Sequence, residues 1–540
     1  MSKTILHFIY CSLAVFFISC GNNGNEGNNE IEDGIIDTPP YPDEIINNQK
    51  LSEGLFYPKG KELRILCSIN GNSLTDDQRI FIATLQGLAA KVSSEQIFIE
   101  EGGATTVWKD YLRTDYGIEV KDFNSFDDLV RHFIDIIDIK GYVLYDKRKN
   151  PRSLTAATSL CGPLNAVAVD KYQERSILSL GITDCIMDVS DKDDRWVYQK
   201  YSSTFYNKFS AELSTEINHH LRDYVTLTNC FMFYDGLTPW RTEMLQKIPS
   251  GSICLGGGLD EFSMIKDATE QGVPWVGTDM ASNLSILSSI YNTEGLYQPR
   301  NEEEVKSEDN VHYVCFMLTD GDNVAYDLWS MYDIFSSPLR GSFPVGYTIS
   351  PSLYDLAPSV LNWYYKNKSN NDYFMCGPSG VGYTYPTMYP SNELDKFFAQ
   401  CDLFASKTGL HICNVIDYGG INNMDLWEQY LKQPNIDAIF YTGYAEPSNG
   451  SIKFASNGKP IIEAGDLLWG GLSEEEDLIN RINSKPTNPQ TQEGYTFIVV
   501  HVWSKGFTNM KTVVDGFNKN IRVVTPENFV KLIKKNLGSK

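Results

Sequence analysis

Carboxylates and flat rings recur at the ends of apolar runs in the second half of this chain of 540 residues. The run His312 to Leu318 ends in Thr319-Asp320-Gly321-Asp322-Asn323, and the run His411 to Asp417 ends in Tyr418-Gly419-Gly420. A further run leads to Tyr444-Ala445-Glu446, another carries Glu463 and Asp466 ahead of Trp469, and the last ends at His501 and Trp503. Two carboxyl groups that flank a glycosidic bond can act as acid and as base or nucleophile, while aromatic faces stack on sugars. Asp417 and Glu463 are the expected pair, because the fourth and sixth strands of a barrel can face each other across its mouth. Asp322 is the third catalytic candidate, and Asp320, Asn323, Glu446, Trp469, His501 and Trp503 are expected substrate contacts. Each has a plainer role available. The Asp-Gly-Asp-Asn segment suits a turn or a calcium loop, Asp417 a helix cap, Glu463 a buried structural pair, and His501 and the tryptophans a core.

The elements that must position these groups follow from periodicity. Between Lys61 and Asn292, segments of helical spacing such as Asp76 to Val92 and Ser125 to Ile137 alternate with short apolar runs. Those runs (Gln96–Glu100, Gly141–Asp146, Asn-Ala-Val-Ala-Val-Asp, Cys230–Phe233, Ser-Ile-Cys-Leu-Gly) read as buried parallel strands. Residues 51–292 therefore form an open α/β domain. Breakers and charges from Asn292 to Asn310 mark a linker over 293–310, and residues 311–540 restart the alternation with eight strand-like runs. That pattern predicts a (β/α) TIM-barrel-like domain of seven or eight strands, whose chemistry lies at the C-terminal strand ends.

The beginning of the chain reads differently. One lysine and an apolar stretch from Ile5 to Ile18 end in Phe17-Ile18-Ser19-Cys20, too short a stretch to span a bilayer and shaped like a signal peptide over 1–19. The junction resembles a bacterial lipobox with Cys20 as the lipidation site, and the polar run that follows makes 20–50 a flexible tether. A lipid anchor at Cys20 places the protein at the membrane of the cell envelope. The nine cysteines after Cys20 include no CxxC, several sit in apolar runs, and buried free thiols are the expectation. No metal site and no cofactor are expected: the Gly256–Gly258 run lacks a dinucleotide fingerprint, and His219-His220 lies far from the second-domain carboxylates. A formal net charge of −23 argues against a nucleic-acid partner and, at an acidic rim, favours a neutral sugar.

The most specific segment is Gly380-Val381-Gly382-Tyr383-Thr384-Tyr385-Pro386. Gly380, Gly382, Tyr383, Tyr385 and Pro386 all match the motif of the GxGYxYP family of glycoside hydrolases, and Thr-Leu-Gln-Gly-Leu-Ala-Ala-Lys, Gly277 to Ser285 and Val345 to Leu353 also resemble that family. The resemblance implies a Bacteroidetes lipoprotein with an N-terminal α/β domain, a catalytic barrel-like domain and an oligo- or polysaccharide substrate. It assigns no catalytic residue beyond the motif. Its glycines would let backbone approach a ligand, and Tyr383 and Tyr385 would reach into the cleft or wedge the loop. Two other readings stay open: a glycan-binding lipoprotein without catalysis, and a polysaccharide deacetylase-like hydrolase, against which the missing HxxxH counts.

Overall fold

The structure, a computed structural model, describes residues 41–42, 45, 50–234, 239–443 and 449–538. The leader with Cys20 and the loop with Glu446 lie outside these described residues. Among the described residues no helix is long and apolar enough to cross a membrane.

The chain is a mixed α/β protein. A hairpin of β1 (Ser52–Glu53) and β2 (Pro58–Lys59) opens it. β3 (Ile65–Asn70), β4 (Glu95–Glu100) and β5 (Glu119–Phe123) form a parallel sheet in the order β4-β3-β5. β6 (Gly141–Tyr145), β7 (Ala166–Asp170) and β8 (Cys185–Asp188) form a second, β7-β6-β8. β9 (Phe209–Leu213), β10 (Phe231–Phe233), β11 (Ile253–Gly257) and β12 (Trp275–Gly277) form a third, β10-β9-β11-β12. The predicted strands are present, but they divide among three small parallel sheets where one open sheet was expected. Helix Asp76–Val92 shows what joins them. Thr75 and Gln78 close a capping box at its start, and residues Ile80 to Lys91 are buried on every side. A helix apolar all round has no solvent face. Gly87 lets it press on helix Arg222–Thr228, since a Cβ there would lie 2.4 Å from the Asp223 carbonyl oxygen.

The second half forms a curled sheet from β13 (His312–Leu318), β14 (Val345–Ile349), β15 (Asp372–Cys376), β16 (Ile412–Asp417), β17 (Ala438–Gly443), β18 (Ile452–Phe454), β19 (Pro460–Glu463), β20 (Asp466–Leu468), β21 (Tyr495–Val500) and β22 (Ile521–Val523). Its order is β18-β19-β17-β16-β15-β14-β13-β21-β20, with β22 beside β13. Only β18 runs antiparallel. The two flanks are joined by Ala464-Gly465: the Ala464 amide donates to Tyr441 O on β17, and the Gly465 amide to Phe497 O on β21. The sixth predicted run is thus a bent strand serving both flanks. The eighth, β22, pairs only with the first residues of β13, so the sheet departs from eight equivalent βα units.

Alternation sorts the sheet's side chains. Tyr313, Cys315, Met317, Tyr373, Met375, Phe440, Ile462, Ala464, Phe497 and Val499 pack with Phe529 and Ile533 of the terminal helix Pro526–Leu537. Val314, Phe316, Leu318, Phe374, Val415, Ile439, Ile461 and Ile498 face the connecting helices. The expected linker is more than solvated surface. Gln298 is buried and uses its amide as a strand would, accepting from the Phe374 amide and donating to the Phe374 carbonyl. The nine described cysteines are free and, except for half-buried Cys185, buried.

Candidate functional site

The loop after β13 is shaped by its own sequence. Asp320 takes φ 73°, a left-handed conformation that a short polar side chain tolerates. Gly321 follows because a Cβ there would stand 2.0 Å from the Thr348 carbonyl carbon. Its amide donates to Thr348 Oγ1 at 2.9 Å, and that hydroxyl donates to Leu318 O, which ties the loop to β14. Asn323 caps helix Val324–Leu328 by accepting from the Tyr326 amide at 3.1 Å. Its side chain serves the helix start, and its backbone forms a bridge with Gly277 at the end of β12.

The aromatic groups predicted here come together. Trp503 is 52% exposed, donates its indole hydrogen to Asp320 Oδ2 and meets the Tyr326 ring edge-on at 5.7 Å. Trp469 and His501 stack with ring centroids 3.8 Å apart and planes within 3°. His501 Nδ1 faces Ser504 Oγ at 2.8 Å, and burial holds its imidazole below the ordinary value while Asp320 pulls the other way. Leu259 and Met280, from the loops after β11 and β12, are also exposed.

The GxGYxYP segment works as a seam between two sheets. Tyr383 and Trp275 exchange backbone hydrogen bonds, Trp275 N to Tyr383 O at 3.1 Å and Tyr383 N to Trp275 O at 2.7 Å. Gly382 permits that approach, since its Cβ would lie 2.8 Å from Pro274 Cβ. Gly380 takes φ 134°, and a Cβ there would lie 2.2 Å from Cys401 Sγ. Tyr383 and Tyr385 are buried. Tyr385 packs among Phe262, Tyr383 and Tyr418, so neither ring offers a free face to a sugar. The tyrosines hold the third sheet against the curled one.

That seam brings in a carboxylate that the sequence reading missed. Glu261 begins helix Glu261–Glu270 after β11, and its Oε1 accepts the Tyr383 hydroxyl at 3.2 Å. Glu261 is exposed by surface area, although protein atoms surround its carboxyl closely. Lost hydration, then the charge of Asp320, pushes its carboxyl up to about 7. Asp322 is driven well above the usual carboxylate range by burial, then by Asp320 and Glu261. Burial also raises Asp320, while the hydrogen bond from Trp503 and the nearby His501 favour its anion. Mutual perturbation puts carboxyls from two sheets in one neighbourhood, a frequent mark of functional sites. The signal for Glu261 was a carboxylate just beyond the strand Ile253–Gly257, a strand-end position like those that point to Asp320 and Asp322.

Asp417 and Glu463 are placed elsewhere. Asp417 is fully buried and accepts from Thr387 N at 3.0 Å, Thr387 Oγ1 at 2.8 Å and Gly419 N at 2.8 Å. Burial raises its carboxyl, with those donors acting against the rise. Glu463 accepts from Ser451 N at 3.1 Å. By alternation it shares the face of Ile461, toward the connecting helices, and each residue of the expected pair ties its strand end to another segment, Asp417 to the loop after β15 and Glu463 to the residue before β18.

Comparison with known proteins adds the following. Residues 310–534 match a family model described as "GxGYxYP putative glycoside hydrolase C-terminal domain". Residues 65–135, 139–205 and 207–289 match the first, second and third N-terminal domain models of the same series, the three stretches that build the three small sheets. A solved structure described as a putative hydrolase from Bacteroides thetaiotaomicron is 44% identical, with a TM-score of 0.90 over 91% of this chain and 99% of that one. No curated protein matches.

Proposed function

The chain belongs to the GxGYxYP family, and on that premise we propose that it is a glycoside hydrolase whose acid and base come from Glu261, Asp320 and Asp322. The observation that carries the reading is the electrostatic coupling of Glu261, from the third sheet, to the two aspartates after β13. Glu261 is the general acid. A carboxyl titrating near 7 keeps its proton on about half of the molecules at neutral pH and gives it up readily to a leaving glycosidic oxygen. Asp320 is the anionic partner, acting on the sugar carbon directly or through a water, with the Trp503 hydrogen bond and His501 opposing the burial that raises its carboxyl. Asp322, held protonated, donates a hydrogen bond to a sugar hydroxyl. Trp503 and the Trp469–His501 stack supply the flat wall.

The curled sheet acts as a barrel-like scaffold in this reading, with its working residues after the C-terminal strand ends. The substrate is a neutral oligo- or polysaccharide, which enters an acidic cleft without the repulsion an anionic glycan would meet. It is met at the cell envelope, where lipid on Cys20 anchors the mature chain; the Phe-Ile-Ser-Cys junction supports that placement. The test is release of reducing ends from a panel of plant and host glycans by wild type, Glu261→Gln and Asp320→Asn. Product from wild type and its loss in both variants is expected. Product undiminished in both would overturn the assignment, and glycan binding without product from wild type would make the chain a binding module.

A further inference from the structure

Away from the cleft, three ligand-type side chains converge on a place where two of the small sheets meet. Glu101 directly follows β4 of the first sheet, and His219 and His220 lie between β9 of the third sheet and helix Arg222–Thr228. One donor atom from each lies within 4.8 Å of the others. The two imidazoles are sequence neighbours, which in an extended strand would point to opposite faces. Here their rings lie 4.1 Å apart at 32°. The turn that aligns them ends at Leu221, a bulky residue held at φ 64° with its amide on Ala281 O at 2.8 Å. His219 is 5% exposed, and its Nε2 sits 3.2 Å from Glu101 Oε1 without the geometry of a hydrogen bond.

We infer that Glu101, His219 and His220 hold one divalent transition-metal ion of the zinc class, which staples the first small sheet to the third. Two imidazoles and a carboxylate are a recognised zinc donor set that leaves a fourth position for water. In a tetrahedral site with metal–ligand bonds of about 2.0–2.1 Å, the donors stand roughly 3.4 Å apart, so a small adjustment of rotamers completes the cage. The surrounding charges suit this use. Glu101 presents Oε1 to the His219 ring. Its other oxygen takes Ser282 Oγ at 3.5 Å. The opposing cation is Arg79, 4.0 Å from Glu101, and that guanidinium is also engaged by Asp76 at 3.0 Å. The donors come from points far apart in the sequence, which explains why His219-His220 looked isolated there.

The experiment uses the full-length protein, stripped with a chelator, passed through a desalting column and titrated with zinc, with calcium as the hard-cation control. About one zinc per chain by elemental analysis, and a melting temperature raised by zinc but not by calcium, are the expected results. Glu101→Gln and His220→Ala should each weaken zinc binding by more than about tenfold. His132→Ala should leave it intact, because His132 belongs to the separate Cys67–Glu95–His132 cluster. Circular dichroism checks that each variant is folded, and Glu101→Gln, isosteric with the native residue, serves where a histidine variant is not. Absence of stoichiometric zinc in the wild type, or its full retention in folded Glu101→Gln, would overturn the site. So would its loss in His132→Ala alone.

Discussion

Tyr383, the first tyrosine of the GxGYxYP segment, donates its hydroxyl to Glu261 Oε1 at 3.2 Å across the seam between the curled sheet and the third small sheet. The signature therefore reaches the cleft through a carboxylate it orients. The hydrogen bond favours the ionised form of Glu261, against the burial and the Asp320 charge that raise it. Tyr383→Phe removes the donor and keeps the ring. The alkaline limb of kcat/KM, set by deprotonation of Glu261 near 7, should move to higher pH in this variant. A pH–rate profile for both proteins on one substrate checks it, and an unmoved limb refutes the positioning role.

The same carboxyl makes stability depend on pH in a definite direction. Its folded value of about 7 lies above the 4.5 of an unperturbed glutamate, so the folded state binds the proton more tightly than the unfolded chain does. The stability contributed by that proton is fully present below 4.5 and is lost as the pH rises through 7. Glu261→Gln cannot deprotonate. Its melting temperature should match the wild type's below about 4.5 and exceed it above about 7. Thermal melts at a series of pH values test this, and parallel curves would refute it.

The spans of the curled sheet were legible because its strands are short apolar runs bounded by breakers: His312–Leu318, Ile412–Asp417 and Tyr495–Val500 agree with the predicted runs to within three residues. Sheet membership was not legible. The strands of the first half carry no mark of which neighbour each will pair with, and the all-round burial of helix Asp76–Val92 is a tertiary property. The cleft was half legible. Asp320, Asp322, Trp469, His501 and Trp503 lie after strand ends, where the barrel rule looks. Glu261 needed the third sheet to be folded against them by Gly382 and Tyr383. Strand-end position alone did not say which partners Asp417 and Glu463 would take, since alternation and the neighbouring loops decide that: Thr387 for Asp417 and Ser451 for Glu463.

The two motif glycines should fail to different degrees when given a methyl group. At Gly382 the added Cβ would lie 2.8 Å from Pro274 Cβ and 3.0 Å from Trp275 O. Modest backbone shifts relieve that contact at a cost of roughly 1–3 kcal/mol, and they loosen the pairing that sets Glu261. At Gly380 the clash with Cys401 Sγ at 2.2 Å is added to φ 134°, a conformation closed to L side chains. Gly380→Ala should therefore destabilise more than Gly382→Ala. Gly471→Ala, with a positive φ but open space around it, isolates the conformational part. Denaturant titrations of the three variants give the order, and Gly382→Ala as the most damaging would contradict the seam geometry.

Carboxylates that catalyse and carboxylates that brace should separate in a paired experiment. Asp417→Ala leaves the Thr387 and Gly419 amides without their acceptor in a closed loop. A fully buried orphan donor costs roughly 1–3 kcal/mol of stability, and these two, on half-buried Thr387 and exposed Gly419, should cost less. The Asp417 oxygens are already taken by Thr387 and Gly419, so the folded fraction of that variant should retain most of its specific activity. Asp320→Asn keeps the volume and the capacity to accept from Trp503, and it should change stability little while cutting kcat by at least about a hundredfold. Melting temperature and specific activity measured on the same preparations place each variant on two axes. Asp417→Ala falling mainly in activity and Asp320→Asn mainly in stability would return the catalytic role to strand β16. The expected outcome is the reverse, because Asp320 lies in the shared field of Glu261 and Asp322, whereas Asp417 spends its lone pairs on Thr387 and the Gly419 amide.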